Sequence, residues 1–233
     1  MAESLRAVVV MDRETAVSAI VAAESPPGAR FDALQAQAVA ARSYLLAGAR
    51  HEEFGFCDTT HCQYLRAPVS ENDPARLAAA ATRGLLLTYE GRVVRAFYSR
   101  SCGGATRTLR EAGLALEGYP YFNVGCDACR RDPETWQETH SRESIAPFLE
   151  RPTEAARLKI ARQHGWNRLP STRFHSTSDG DSVTLYGRGI GHGIGLCQRG
   201  AASLAAGGMD FAAILRHYFP NTTLETRAGA TRE

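Results

Sequence analysis

One carboxylate in this sequence has a setting that suits acid–base chemistry. Glu24 follows the small and apolar run Ala19-Ile-Val-Ala-Ala and precedes Ser25-Pro26-Pro27, where any helix that reaches it must end. An acid on the buried face of such a helix would be desolvated, and desolvation favours the protonated form that a general acid needs. The alternative is a solvated surface charge, which is the usual state of a lone glutamate.

A single arginine lies in the middle of an alanine-rich segment. Arg42 is flanked by Ala40, Ala41, Ser43 and Tyr44. In an active site, a fixed guanidinium of this kind could line the pocket and hold a carboxylate. An exposed arginine on the surface of a helix is the alternative.

The first group of cysteines has a spacing typical of metal ligands or of a local bridge. Cys57 and Cys62 flank His61, and His51 lies six residues before Cys57. Zinc takes four ligands of these types in a tetrahedral structural site. A Cys57–Cys62 disulfide would use the same thiols, and the sequence leaves both possibilities open.

The second group is Cys126-Asp-Ala-Cys129, a single Cys-x-x-Cys. It could form a bridge, join Cys102 at a second metal, or act in redox chemistry. Together with Cys197, these cysteines suggest more cross-linking or more metal than the first group alone provides.

Two further segments combine polar side chains with glycine. The segment from Ala96 to Gly104 begins as a strand, carries the hydroxyls of Tyr98, Ser99 and Ser101, and ends in a glycine turn, so it could hold a sugar. A plain edge strand is the alternative. Around His192, five glycines in nine residues indicate positive φ angles or close backbone approach to a ligand. The Gly-Lys-Ser/Thr element of a phosphate-binding loop is missing.

Several function classes are disfavoured by motif and composition. Neither a His-Glu-x-x-His nor a Gly-x-Ser-x-Gly motif is present, which argues against the common zinc peptidases and serine hydrolases. A net charge of +2 is too small for a protein built around nucleic acid. No apolar stretch approaches the roughly 20 residues of a membrane span. The first residues do not resemble a secretory signal, as expected of a cytoplasmic protein or of an exported one expressed without its signal.

The predicted elements do not alternate regularly, so the pattern favours an α+β fold, compact and in one or two lobes, with helices packed on short antiparallel strands around a cleft. We predict one domain over residues 1–226 and a disordered tail over 227–233. The predicted strands cover 85–89 and 92–99, paired as a hairpin, and 182–186, and residues 102–136 are expected to form a long ordered loop. The predicted helices cover 12–24, 32–48, about 74–83, 142–150, 153–164 and about 211–218.

Five motifs in the same order resemble the stage II sporulation protein D family, which includes proteins called amidase enhancers. Each motif is weak singly, but together they span roughly residues 12 to 224. They are Ile20-Val-Ala-Ala-Glu24-Ser-Pro, Leu34-Gln-Ala-Gln-Ala-Val-Ala-Ala-Arg42-Ser-Tyr44, Cys57-Asp-Thr-Thr-His61-Cys62-Gln63, the segment from Ala96 to Gly104, and Gly189-Ile-Gly-His192-Gly-Ile-Gly-Leu-Cys197-Gln198-Arg-Gly200-Ala201.

The resemblance implies an exported enzyme of the cell envelope or periplasm, a lytic transglycosylase that cleaves peptidoglycan strands between N-acetylmuramic acid and N-acetylglucosamine. Glu24 then matches the catalytic acid, which acts afterwards as the base, and Arg42 matches an active-site arginine. No cofactor is needed for this chemistry. The cysteine–histidine loop (His51, Cys57, His61 and Cys62) matches a segment that binds zinc in some members. The matching cleft residues, expected to bind substrate, are Tyr98, Ser99, Ser101, Gly103, His192 and Gln198.

The chain departs from the family pattern in its last motif, where Arg199 replaces a tryptophan that could stack on a sugar, and Ser25 stands where methionine is common. Two other functions therefore stay open. One is a non-catalytic protein that binds peptidoglycan and stimulates an N-acetylmuramoyl-L-alanine amidase. The other is a zinc or thiol protein whose cysteines are the active groups.

Overall fold

The computed structural model describes residues 7–59, 61–165 and 168–227, and it has the predicted α+β fold. Its helices are α1 Arg13–Glu24, α2 Phe31–Leu46, α3 Pro74–Ala81, α4 Asp127–Arg131, α5 Arg142–Glu150, α6 Glu154–His164, α7 Gln198–Ala206 and α8 Phe211–Tyr218. Its strands are β1 Leu85–Tyr89, β2 Arg92–Val93, β3 Tyr98–Ser99, β4 Thr135–Ser141, β5 Phe174–Asp179, β6 Ser182–Arg188, β7 Leu196–Cys197 and β8 Thr223–Thr226.

The first three helices pack on one another through small residues. The carboxylates of Asp12 and Asp73 accept hydrogen bonds from the first backbone N–H groups of α1 and α3, which fixes where both helices begin. Ala36, Ala38 and Ala40 of α2 are fully buried. Because alanine lets helix axes approach closely, α2 contacts α1, α3, α7 and α8 at once.

The strands form three small sheets. The orders are β2-β1-β8 and β4-β6-β5, both antiparallel, and a short parallel pair, β3-β7, in which Tyr98 lies opposite Leu196 and Ser99 opposite Cys197. The parallel pair was not expected among antiparallel elements. It joins two segments that lie almost 100 residues apart along the chain.

The predicted hairpin is correct in its first strand and turn but too long in its second strand. β1 pairs with β2 through Tyr89 and Arg92, but β2 ends at Val93, and Tyr98 belongs to a different sheet. The β4, β5, β7 and β8 strands and helix α7 were not predicted, and the expected loop over 102–136 contains α4 and the start of β4.

Three clusters of buried apolar residues support the fold among the described residues, and one of them lies between α1, α2 and α3. The other two are a large core around α2, β1, β7 and α8 and a small core between α5, α6 and the β4-β6-β5 sheet. Residues at the border of these two cores line the cleft described below. Arg227, which the sequence analysis placed in a disordered tail, donates its backbone N–H to the Gly84 carbonyl. Residues 228–233 lie outside the described part of the chain.

Candidate active site

Glu24 is the last residue of α1 and is partly buried. Its Oε1 accepts a hydrogen bond of 2.8 Å from the backbone N–H of Tyr64. Burial raises the pKa of Glu24 above its ordinary value, while the Tyr64 N–H and the side chain of Gln198 oppose part of that rise. The carboxyl group therefore takes up a proton more readily than an exposed glutamate does, as acid catalysis requires.

The Glu24 side chain lines a cleft of about 350 Å³, which lies at the border of the large core and the small core. Its walls come from α1, α2, the β3 segment, α6 and the glycine-rich segment before β7. The lining residues are Glu24, Tyr44, Cys62, Phe97, Tyr98, Ser99, Arg100, Glu154, Arg157, Pro170, Ile190, Gly191 and His192. A larger depression of about 810 Å³ on the β4-β6-β5 sheet has no acidic residue in its lining, so it offers no comparable acid.

Three buried polar atoms at or beside the cleft have no hydrogen-bond partner among the described residues. They are the Tyr44 hydroxyl, Ser99 Oγ and Gln198 Nε2. The Gln198 side chain is close enough to Glu24 to lower its pKa, although its Nε2 meets no acceptor in hydrogen-bond geometry. Buried polar groups are nearly always paired in native proteins, so these atoms are suited to a ligand rich in hydroxyl groups.

Tyr98 links the cleft to the loop that carries the first cysteines. Its hydroxyl donates to Gln63 Oε1 at 2.7 Å. Burial, followed by the charge of Glu24, raises the pKa of Tyr98 well above its ordinary value, so the phenol stays protonated. Tyr98 can therefore accept a hydrogen bond from a ligand but keeps its own donor on Gln63.

A second carboxylate in the cleft, that of Glu154, was missed by the sequence analysis. Arg157 holds it with two hydrogen bonds of 2.9 and 2.6 Å and donates a third, of 3.1 Å, to the Leu169 carbonyl. Both side chains are almost fully buried. In the sequence, Glu154 and Arg157 lie at an ordinary helix start after Thr153. Nothing in that pattern distinguishes this helix from the others.

His192 lies in the cleft as a neutral imidazole. Its Nδ1 accepts a hydrogen bond of 3.0 Å from the backbone N–H of Ile194, and its ring packs edge-on against Phe97. Burial lowers the pKa of His192 to about 4. The flanking Gly191 and Gly193 have positive φ, as predicted, and a Cβ on Gly191 would lie 3.0 Å from that of Ser99.

This environment makes the stability of the protein depend on the charge of His192. Because its folded pKa lies below the unfolded value of about 6.5, the neutral ring stabilises the fold above that pH, and the contribution is lost as pH falls toward 4. We expect the free energy of unfolding of wild type to fall more steeply over this interval than that of His192→Gln, as measured by urea denaturation. Parallel pH curves would contradict this expectation.

Arg42 does not line the cleft. It is 1% exposed, so the alternative of a surface arginine is wrong, and it is held by the Glu14 carboxylate through two hydrogen bonds of 2.8 and 2.6 Å. Its remaining donors reach the backbone carbonyls of Ala79 and Leu85. The guanidinium does grip a carboxylate, but that of α1 rather than one in the cleft.

Ser101 and Gly103, which were expected to contact substrate, also lie away from the cleft. Ser101 exchanges two backbone hydrogen bonds with Ile190, and its hydroxyl lies 3.5 Å from Cys129 Sγ. A Cβ on Gly103 would lie 3.1 Å from the Arg188 carbonyl oxygen, so this glycine serves backbone packing. Tyr98, Ser99, His192 and Gln198 are thus the predicted substrate residues that the fold brings to Glu24.

The first cysteine group forms a cluster that could hold a metal. Ligand atoms of His51, Cys57, His61 and Cys62 lie within 4.8 Å of one another. Both thiols are free, so the structure does not have the Cys57–Cys62 disulfide. Cys62 Sγ is 3.4 Å from His51 Nε2 and 3.5 Å from His61 Nδ1, close to the separation of about 3.5 Å expected for ligands on one tetrahedral zinc.

Four consecutive residues connect the candidate metal cluster (His51, Cys57, His61 and Cys62) with Tyr98 and Glu24. His61 and Cys62 belong to the cluster, Gln63 binds the Tyr98 hydroxyl, and the Tyr64 N–H binds Glu24. A metal held by the cluster would therefore also fix the groups that position Glu24.

Comparison with known proteins shows which family the chain is similar to. The family model of the stage II sporulation protein, SpoIID, matches residues 1–89, a range that contains Glu24, Arg42 and the metal cluster. Together with the relatives below, this match confirms the resemblance to the stage II sporulation protein D and amidase-enhancer family.

Two relatives align with 88% of the chain. An uncharacterised protein of Brachyspira hyodysenteriae is 27% identical, and the amidase enhancer of Bacillus subtilis is 23% identical. The aligned part covers 64% of the first relative and 39% of the second, so the chain spans less than two thirds of the length of either. Among the helices of the described residues, none is long and apolar enough to cross a membrane.

Proposed function

We propose that this protein is a lytic transglycosylase that cleaves the glycan strands of peptidoglycan, with Glu24 as its acid and then its base. The similarity to the SpoIID and amidase-enhancer family supports a role connected with the cell wall. The observation that carries the enzymatic proposal is the setting of Glu24, a carboxyl group of raised pKa in a cleft lined by unpartnered polar atoms.

In the proposed reaction, protonated Glu24 gives its proton to the oxygen that links N-acetylmuramic acid to N-acetylglucosamine. The bond from this oxygen to C1 of the muramic residue breaks, and its electron pair stays on the leaving oxygen. The C6 hydroxyl of the same sugar attacks C1 and gives its proton to the Glu24 carboxylate. The products are a free 4-hydroxyl and a 1,6-anhydro ring, Glu24 is protonated again, and no water is consumed.

The ion pair of Glu154, the second carboxylate in the cleft, supports a mechanism in which one carboxyl group acts as both acid and base. Hydrolytic glycosidases use two carboxyl groups, one as acid and the other as base or nucleophile. Glu154 is the other carboxylate in the cleft lining, and both of its oxygens are hydrogen-bonded to Arg157. Because Arg157 already occupies both oxygens of Glu154, Glu24 is the carboxyl group suited to both proton transfers.

The polar atoms of the cleft suit a sugar substrate. The hydroxyls of Ser99 and Tyr44 can each donate and accept a hydrogen bond, and Gln198 Nε2 can donate one, so these atoms suit hydroxyl and acetamido groups. Arg42 is held by Glu14 outside the cleft, so the arginine that we propose for the lactyl carboxylate of muramic acid is Arg100. Arg100 is about two thirds exposed in the cleft lining and is paired with Glu134, so it would have to share its charge between the two carboxylates. Following the family resemblance, we propose that glycan strands without stem peptides are the preferred substrate.

Product analysis tests the proposal directly. Glycan freed of stem peptides is incubated with the protein, and the fragments are separated and weighed by mass spectrometry. Fragments that end in 1,6-anhydromuramic acid are the expected result. Fragments with reducing ends, which are heavier by one water, would replace the proposal with hydrolysis.

The amidase enhancer of Bacillus subtilis raises a second candidate function, a non-catalytic protein that binds peptidoglycan and stimulates an amidase. In the same experiment this function gives bound glycan and no fragments. Adding an N-acetylmuramoyl-L-alanine amidase then speeds the release of stem peptides from intact peptidoglycan, which is the outcome that separates it from the enzyme. In either case we propose an exported protein that works in the cell envelope.

We also propose that His51, Cys57, His61 and Cys62 hold a structural zinc ion, because their atoms have the number, type and spacing of a tetrahedral site. Metal analysis of the purified protein is expected to find one zinc ion fewer per chain in Cys57→Ser than in wild type. Asp58→Asn, next to it in the loop, should keep the wild-type content. A Cys57–Cys62 disulfide found by mass spectrometry of alkylated protein would contradict the proposal.

A further inference from the structure

Four buried cysteines from three separate segments meet behind the cleft. Cys102 follows β3, Cys126 directly precedes α4, Cys129 lies within α4, and Cys197 ends β7. Their sulfur atoms all lie within 4.8 Å of one another, and no member is more than 2% exposed. The sequence analysis considered a bridge within Cys126-x-x-Cys129, but all four thiols are free in the structure.

We propose that these four thiols bind one zinc ion in a second, purely sulfur-ligated structural site. Four sulfurs at about 2.3 Å from a tetrahedral zinc lie about 3.8 Å apart. The Cys126–Cys197 and Cys129–Cys197 sulfur distances are 3.9 and 3.5 Å. Binding replaces the four S–H bonds with four Zn–S bonds and releases four protons, with no electron transferred.

The distances between the sulfur atoms also argue against disulfides and against an iron–sulfur cluster. A disulfide needs its sulfurs at about 2.05 Å. In a four-iron cluster each thiolate binds a different iron, which separates the sulfurs by roughly 6 Å, wider than any pair here. A single small ion at the centre satisfies the observed separations.

The surroundings supply donors for negatively charged sulfur. Backbone N–H groups of Cys102 and Gly200 each point to Cys197 Sγ at 3.4 Å, and the Tyr218 hydroxyl donates to Cys126 Sγ at 3.6 Å. The Ser101 hydroxyl lies 3.5 Å from Cys129 Sγ. Four thiolates and one Zn²⁺ carry a net charge of −2, and hydrogen bonds of this kind stabilise such a buried site.

The start of α7 packs directly on the cluster. A Cβ on Gly200 would lie 2.6 Å from Cys126 Sγ and closer still to the Tyr218 hydroxyl, so only glycine fits there. Cys197 lies opposite Ser99 in the two-residue β3-β7 pair and directly before Gln198. An ion at this place would hold together a sheet too short to be stable alone, and with it two of the residues that face Glu24.

Metal analysis in a background without the first site tests the proposal. The double variant Cys57→Ser/Cys62→Ser, purified as the full chain with a reductant, is expected to contain one zinc ion per chain. Adding Cys129→Ser should lower that content close to zero. Adding Asp127→Asn, an exposed change between Cys126 and Cys129, should leave it at one.

The ligands themselves are identified by X-ray absorption of the zinc in the double variant, where four sulfurs at about 2.3 Å are expected. Nitrogen ligands, bound iron, disulfides among the four cysteines, or free thiols without metal would each overturn the proposal. If Cys129→Ser does not fold, the metal content and absorption spectrum of the double variant decide alone. Neither readout depends on glycan cleavage, so the test is separate from that of the proposed function.

Discussion

Glu24→Gln is expected to reduce the formation of anhydromuramic ends by roughly 10²–10⁴-fold, the usual contribution of a general acid–base group. Glutamine keeps the shape and an oxygen for the Tyr64 N–H, but it has no proton to give to the glycosidic oxygen and cannot take one from the C6 hydroxyl. The rate of fragment release from stem-peptide-free glycan, followed by mass spectrometry, measures the effect.

The fold of this variant should be intact. Because burial raises the pKa of Glu24, its charge costs stability at neutral pH, and removing the charge is expected to leave the variant at least as stable as wild type above that pKa. Glu143→Gln, an exposed change on α5, is the matched control and should cleave at the wild-type rate. Wild-type cleavage by Glu24→Gln would end the assignment of this residue as the acid.

Arg42→Met is expected to destabilise the protein by about 3–5 kcal/mol, because it leaves a partly buried carboxylate and two backbone carbonyls without their partner. The total free energy of unfolding of a domain is about 5–15 kcal/mol, so the loss is large. Urea denaturation measures it. The resemblance alone implied a different outcome, in which the fold is kept and turnover is lost.

A double-mutant cycle separates these outcomes. Glu14→Gln/Arg42→Met should be destabilised by clearly less than the sum of its two single variants, because each single change already breaks the same ion pair. If Arg42→Met instead has wild-type stability and only its glycan cleavage is reduced, Arg42 acts in the active site as the resemblance implied.

The sequence predicted those parts of the fold that are determined locally. Both α1 and α3 begin after a capping aspartate. Prolines follow the end of α1 and a glycine follows the end of α3, so the predicted bounds of both helices were close to those observed. The β4 strand, Thr135–Ser141, was missed because its residues are mostly polar and only its pairing with β6 makes it a strand. The β3-β7 pair depends on contacts between distant segments, which periodicity cannot reveal.

The same division applies to the site. Glu24 could be singled out from its setting at the end of a helix, and the first cysteine–histidine cluster from residue type and short spacing. Glu154 was not found, since a glutamate in the first turn of a helix is common and its place in the cleft follows only from how α6 packs. Arg42 was singled out in the sequence, but its contact with Glu14 was not predicted, because nothing in the neighbouring residues indicates that Glu14 is its partner.

The ion pair between Arg42 and Glu14 fixes the first turn of α1, and the orientation of the helix determines where its last residue lies. Glu14 lies near one end of this helix and Glu24 at the other, about 15 Å away at 1.5 Å per residue. A tilt of only about 4° at the anchored end would swing the carboxyl group by about 1 Å, a displacement large enough to cost about 10²-fold in rate. In the proposed enzyme, an arginine that lies outside the cleft can thus determine the position of the catalytic carboxyl group.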